Sequence, residues 1–85
     1  MIRAFTDEAW DQYQHWVRTD RQTLKRLNVL LEDTLRHPFT GIGKPEMLRA
    51  NLSGHWSRRI TDEHRLVYRV QDDTLIIIAC RFHYE

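Results

Sequence analysis

Glu46, Arg65 and His83 are a carboxylate, a guanidinium and an imidazole, the side-chain types that metal-free cleavage of RNA calls for. A base must take the proton of a 2′-OH, a cation must stabilise charge gathering on the phosphate, and an acid must protonate the departing 5′-oxygen. Between positions 44 and 59, Glu46 is the sole carboxylate among Lys44, Arg49, Arg58 and Arg59, and such surroundings keep it ionised. His83 carries the one side chain that ordinarily changes charge near neutral pH, as a general acid requires. Arg58, Arg59, Arg65, Arg69 and Arg81 oppose that charge, whereas the carboxylate of Glu85 favours it. Taken singly, each has a plainer reading. Glu46 is equally a loop carboxylate paired with Arg49, Arg59 and Arg65 are equally cross-strand neighbours on an exposed sheet face, and His83 and Tyr84 equally anchor the end of a strand.

The elements that must position these groups are readable from periodicity. Met1 to Thr6 has the mixed pattern of a short first strand, and Thr6 or Asp7 can cap the helix that follows. Ala9, Trp10, Tyr13, Trp16 and Val17 mark one face of a helix from Asp7 to about Thr19. Asp20 caps a second helix, with Leu24, Leu27, Leu31 and Leu35 along one side, ending near Arg36-His37-Pro38. Val29 and Leu30 widen its apolar surface, which either the hairpin itself or a partner must cover. Pro38 to Pro45, with Gly41 and Gly43, is a loop without the pattern of a phosphate cradle. Three strands follow, at His55 to Ile60, Arg65 to Gln71 and Thr74 to His83. The predicted domain is α+β and spans 1–85 as a single unit: a β-α-α-β-β-β chain, its two-helix hairpin packed on one face of a twisted, mainly antiparallel, four-stranded sheet.

Register decides which polar groups meet. A two-residue turn at Asp72-Asp73 pairs Arg65 with Cys80 and mixes charge into the oily face. A three-residue turn, Asp72 to Thr74, pairs Arg65 with Arg81 and gathers Leu66, Tyr68, Val70, Ile76, Ile78, Cys80 and Phe82 into one core face. Hydrophobic consistency favours the second. It places Arg65, Arg81 and His83 on the face away from the helices, with Arg59 joining across the turn at Thr61 to His64. Such clustered positive charge calls for a phosphate.

Composition sets outer bounds. The chain has 85 residues, 41% hydrophobic, and a formal net charge of +1. That is one modest core, and no overall polycation. Every basic residue but Lys25 and Lys44 is Arg, the planar fork suited to phosphate. The single cysteine, Cys80, lies in an apolar run and reads as a buried small side chain in a reducing compartment. No segment approaches the roughly 20 apolar residues that span a bilayer, so a soluble, cytoplasmic protein without membrane association is expected. His15, His37, His55 and His64 lack metal-ligand spacing, so neither metal nor cofactor is expected, and His64 reads as a turn residue.

The ordered motifs Trp10 and Trp16, Gly43-Lys44-Pro45-Glu46, Asn51-Leu52-Ser53-Gly54, Trp56-Ser57-Arg58-Arg59-Ile60-Thr61, Glu63-His64-Arg65-Leu66-Val67-Tyr68 and His83-Tyr84 run through nearly the whole chain. On these the sequence resembles YoeB-type toxins of the RelE/ParE toxin–antitoxin superfamily. The resemblance implies a ribosome-dependent mRNA endonuclease that cuts mRNA in the A site between the 30S and 50S subunits, leaving a 2′,3′-cyclic phosphate and a 5′-hydroxyl. It implies catalytic roles for Glu46, Arg65, His83 and Tyr84. Arg49 and Arg59 match supporting positions, while Lys44 and Arg81 are further candidates for phosphate contact. It also implies a YefM-like antitoxin, operator DNA bound only through the antitoxin complex, and no cofactor. A homodimer is an expectation from the apolar surface. Arg49 stands where the family commonly has Lys, and Glu85 follows the usual terminal Tyr. A gyrase-directed toxin of the ParE type and a nucleic-acid-binding corepressor module are the competing readings.

Overall fold

The computed structural model describes residues 1–83. In chain order it contains β1 (Ile2–Phe5), α1 (Asp7–Thr19), α2 (Arg21–Arg36), β2 (Glu46–Met47), a 3-10 turn (Ala50–Leu52), β3 (Trp56–Arg59), β4 (Arg65–Gln71) and β5 (Thr74–Ala79). Both helices start at the expected caps. Thr6 Oγ1 accepts from the Ala9 N–H at 3.1 Å, and Asp20 Oδ1 accepts from the Thr23 N–H at 3.0 Å, each satisfying a donor that the first helical turn leaves open. The Thr23 bonds also hold the Asp20 carboxyl below its ordinary value. Asp20 ends α1 and begins α2, so the helices fold back on one another as a hairpin.

Ala9 and Trp16 from α1 and Leu27, Leu30 and Leu31 from α2 pack against Leu66, Tyr68, Leu75 and Ile77 of the sheet. None of these exceeds 5% exposure, and each buried aliphatic side chain of this size contributes roughly 1.5–3 kcal/mol. Leu30 therefore belongs to the core, while its neighbour Val29 faces solvent. Trp10 departs from its expected core position. It stands half exposed, stacked on Tyr13 at 5.6 Å and edge-on to Phe5 at 5.5 Å.

The sheet has five strands in the order β1-β5-β4-β3-β2, one more than expected. β1 runs parallel to β5 and the other neighbours are antiparallel. The additional strand is β2, the pair Glu46 and Met47, too short for any alternation to announce it.

The three-residue turn is corrected. Gln71 pairs with Thr74, so the connection is the two residues Asp72 and Asp73, at φ 51° and 58°. Both lie in the left-handed region that the favoured two-residue hairpin turn requires, and short polar side chains enter it most readily. Leu75 and Ile77, rather than Ile76 and Ile78, consequently fill the core. A bulge then restores the phase: Tyr68 pairs with Ile77 but Val67 with Ala79, leaving Ile78 as the extra residue. Past the bulge Cys80 lies in the core, as the hydrophobic argument requires, but Phe82 does not, being 54% exposed. β5 also ends at Ala79, short of His83. Its successor Cys80 is held by α1 instead of by a strand: the Cys80 N–H donates to Gln12 Oε1 at 2.7 Å, and the Cys80 carbonyl accepts from Trp16 Nε1 at 2.8 Å.

Candidate active site

Glu46 opposes Ser57, Ser57 opposes Val67 and Val67 opposes Ala79, so these four form one row across the sheet. Directly opposed side chains share a face. Arg58, Leu66 and Tyr68 point to the helices, which places the row on the other face. Ser57, Val67 and Ala79 are at most 5% exposed, so the middle of the row is covered and Glu46, at its edge, is exposed. Two residues along, on the same face, Arg59 opposes Arg65. Strand spacing and rise put Glu46 diagonal to Arg59 and about 12 Å from Arg65 between Cα atoms, a span that a phosphodiester and two extended side chains fill.

Arg59 is exposed, and its N–H donates to the Gly43 carbonyl at 2.7 Å, which hangs the loop bearing Lys44 on the end of β3. Gly43 has φ 79°, and a Cβ there would lie 2.7 Å from Leu30 Cδ2, so only glycine lets the loop run this close. Arg65 is partly buried, its Nη1 donating to the carbonyls of Thr61 at 2.8 Å and of Asp62 and His64 at 3.2 Å. Those bonds orient the guanidinium before any substrate arrives. Arg49 is exposed and precedes the 3-10 turn. The Leu48 N–H donates to the His55 carbonyl, so Arg49 lies beyond the end of the β2–β3 ladder opposite to Arg59. Glu46 thus has basic residues to both sides.

The structure does not bring Arg81 to this group. The chain leaves the sheet at Cys80, and the Arg81 guanidinium lies over Phe82 at 4.5 Å and over Trp16 of α1 at 5.9 Å. His83 is exposed and follows Phe82, whose backbone is fixed at both ends: its N–H donates to His64 Nδ1 at 2.8 Å, and its carbonyl accepts from the Arg65 N–H at 3.0 Å. The catalytic position expected for Tyr84 lies outside the described residues, as does Glu85. Among the described residues no group of three or more His, Cys, Asp or Glu side chains is arranged to hold a metal ion.

A family model for the YoeB-like toxin of bacterial type II toxin–antitoxin systems matches residues 5–84. The chain belongs to this family. Toxin YoeB of Escherichia coli K12 is 59% identical over 84 residues, covering 99% of this chain and all of the relative. The YoeB/ParE toxin from Agrobacterium tumefaciens superposes with a TM-score of 0.96 at 48% identity, covering 99% of this chain and all of that one. The toxin in a YoeB–YefM complex from Staphylococcus aureus gives 0.91 at 40% identity, over 99% and 98% of the two chains.

One residue of this YoeB-like toxin, Arg58, expected among the cations around Glu46, points to the helices instead. Arg58 is fully buried, and all five of its N–H donors are used. Nε donates to Tyr68 Oη at 3.1 Å, Nη1 to Asp33 Oδ2 at 2.6 Å and the Ile42 carbonyl at 3.1 Å, and Nη2 to the carbonyls of Thr40 at 2.9 Å and of His37. Tyr68 Oη in turn donates to the Pro38 carbonyl at 2.6 Å, and burial pushes its phenol above the ordinary value. Asp33 also accepts from the Ile42 N–H, and these bonds, the Arg58 one foremost, hold its carboxyl below the usual carboxylate range. The loop leading to Glu46 is therefore wrapped around one guanidinium. The signal was present: Arg58 is in phase with Trp56 and Ile60, so strand alternation alone directs it inward.

Proposed function

We propose that this type II toxin is a ribosome-dependent mRNA endonuclease that works without metal. The observation that carries the reading is the shared sheet face, with exposed Glu46 at the edge of a row of buried residues and the Arg59–Arg65 pair on the adjoining row. Glu46 takes the proton of the 2′-OH, and the freed oxygen attacks the adjacent phosphorus. Arg65, already oriented by its own turn, and Arg59 stabilise the charge on the non-bridging oxygens. His83 protonates the 5′-oxygen as its bond to phosphorus breaks, and the products are a 2′,3′-cyclic phosphate and a 5′-hydroxyl. Lys44 and Arg49 flank Glu46 and hold neighbouring phosphates, and the matching family position assigns Tyr84 to catalysis. The ribosomal A site presents the unpaired mRNA, and the protein acts in the cytoplasm. Among the described residues, no helix is long and apolar enough to cross a membrane.

A YefM-like antitoxin is the proposed partner, with operator DNA bound only through that complex. In support, a groove of about 690 Å³ runs along the outer side of α2, lined in part by Leu24, Val29, Arg36 and Ile42. Glu32 and Asp33 stand beside Arg21, Lys25 and Arg36 in that lining, so its apolar residues suit an amphipathic antitoxin segment, while the exposed Arg49 and Arg59 suit an acidic one. The half-exposed Trp10 and Val17 support a second copy of the chain as a further partner. Induction in a growing culture tests the reading: the wild type arrests growth, and Glu46→Ala and His83→Ala lose arrest while still co-purifying with the antitoxin. Arrest by the double variant refutes it.

A further inference from the structure

We propose that His64 is a positioning residue for His83, acting through the backbone of Phe82; this rests on the nuclease reading above. A backbone N–H can only donate, so the 2.8 Å bond from the Phe82 N–H makes His64 Nδ1 the acceptor. In this arrangement Nδ1 carries no hydrogen and Nε2 is the ring's donor. The imidazole is set edge-on to Trp16 at 4.8 Å, and the His64 backbone is locked as well. Its N–H donates to Thr61 Oγ1 at 3.2 Å and its carbonyl accepts from the Ile60 N–H at 3.0 Å. The next residue, Arg65, gives its N–H to the Phe82 carbonyl at 3.0 Å. Two consecutive residues thus grip both polar groups of Phe82.

That grip has work to do. Phe82 has φ 70°, a left-handed conformation that a bulky residue leaves unless held. Burial does not hold it, because the side chain is 54% exposed. The two backbone bonds do so, alongside the Arg81 guanidinium that lies 4.5 Å over the Phe82 ring, and they fix the direction in which the chain continues to His83. The same turn, through the carbonyls of Thr61, Asp62 and His64, aims the Arg65 guanidinium. The Thr61 to Arg65 segment therefore sets both the cation and the acid, and His64 is its link to the acid.

The test compares wild type, His64→Leu and His64→Asn in steady-state cleavage of mRNA held on programmed ribosomes, with thermal unfolding of each. Asn places an oxygen close to where Nδ1 stands, whereas Leu fills the space without an acceptor. The expected result is a kcat loss of about 10²-fold in His64→Leu with little change in KM, the size that misplacing a reacting group by about 1 Å produces. His64→Asn recovers most of that loss. Should His64→Leu fail to fold, His64→Phe keeps a ring against Trp16 and removes the acceptor, with the same expectation. A folded His64→Leu or His64→Phe cutting at the wild-type kcat overturns the inference and leaves the nuclease reading standing. So does a folded His64→Asn as slow as the Leu variant. Absence of cleavage by the wild type removes the nuclease reading and this inference with it.

Discussion

Replacing Arg58 with Met removes a fully buried cation of similar length and strands everything it holds. The Asp33 carboxylate, the Tyr68 hydroxyl and the carbonyls of His37, Thr40 and Ile42 all lose a donor. Breaking a buried ion pair from one side costs about 3–5 kcal/mol. At about 0.05–0.15 kcal/mol per residue, 85 residues have a total stability of about 4–13 kcal/mol, so this one change takes roughly a quarter of it or more. The midpoint of thermal unfolding should fall by at least about 12 °C. Arg58→Lys keeps the charge but offers three donors to five acceptors, and should lie between Met and wild type. Urea unfolding followed by tryptophan fluorescence reads all three proteins. A loss below about 1 kcal/mol in Arg58→Met, the range of an exposed ion pair, refutes the reasoning.

Three further outcomes follow from the same geometry. The Asp33 carboxyl is held low in the folded state, so its stabilisation is present above its unfolded value and is lost as pH falls through the folded one. Acid titration of stability should show that limb in wild type and a weaker one in Asp33→Asn. Burial pushes the Cys80 thiol up to about 12, so a thiol reagent at pH 8 should modify it only at the rate of unfolding. Asp73→Gly relieves a left-handed residue in the β4–β5 turn and should raise stability by about 0.5–1 kcal/mol, measured by the same urea titration.

The helices were legible because their signals are local: Thr6 and Asp20 cap where their side chains suggest, and Leu27 and Leu31 face inward by spacing. The joint placement of Arg59 and Arg65 was legible from the short turn between their strands. What escaped depends on contacts distant in sequence. The bulge at Ile78 lets a two-residue turn and a consistent core coexist, and choosing between whole-strand registers leaves no room for it. The end of β5 is set by Gln12 and Trp16, two side chains of α1, and Arg81 turns toward the helix as a result. Arg58 was expected among the cations around Glu46, because a buried guanidinium makes sense only once Asp33 and the loop carbonyls surround it. His64 looked like a turn residue, and its backbone is one. Its ring is committed to Phe82, a contact that exists only once β5 has bent away.

Primer extension on an mRNA translated in vitro tests the central claim most directly, run with wild type and with Glu46→Ala, Arg65→Ala and His83→Ala. The account predicts discrete cuts at ribosome-positioned codons with wild type, a 5′-hydroxyl on each downstream fragment, and loss of those cuts in all three variants. Intact mRNA with the wild type, or unchanged cuts with the variants, contradicts it.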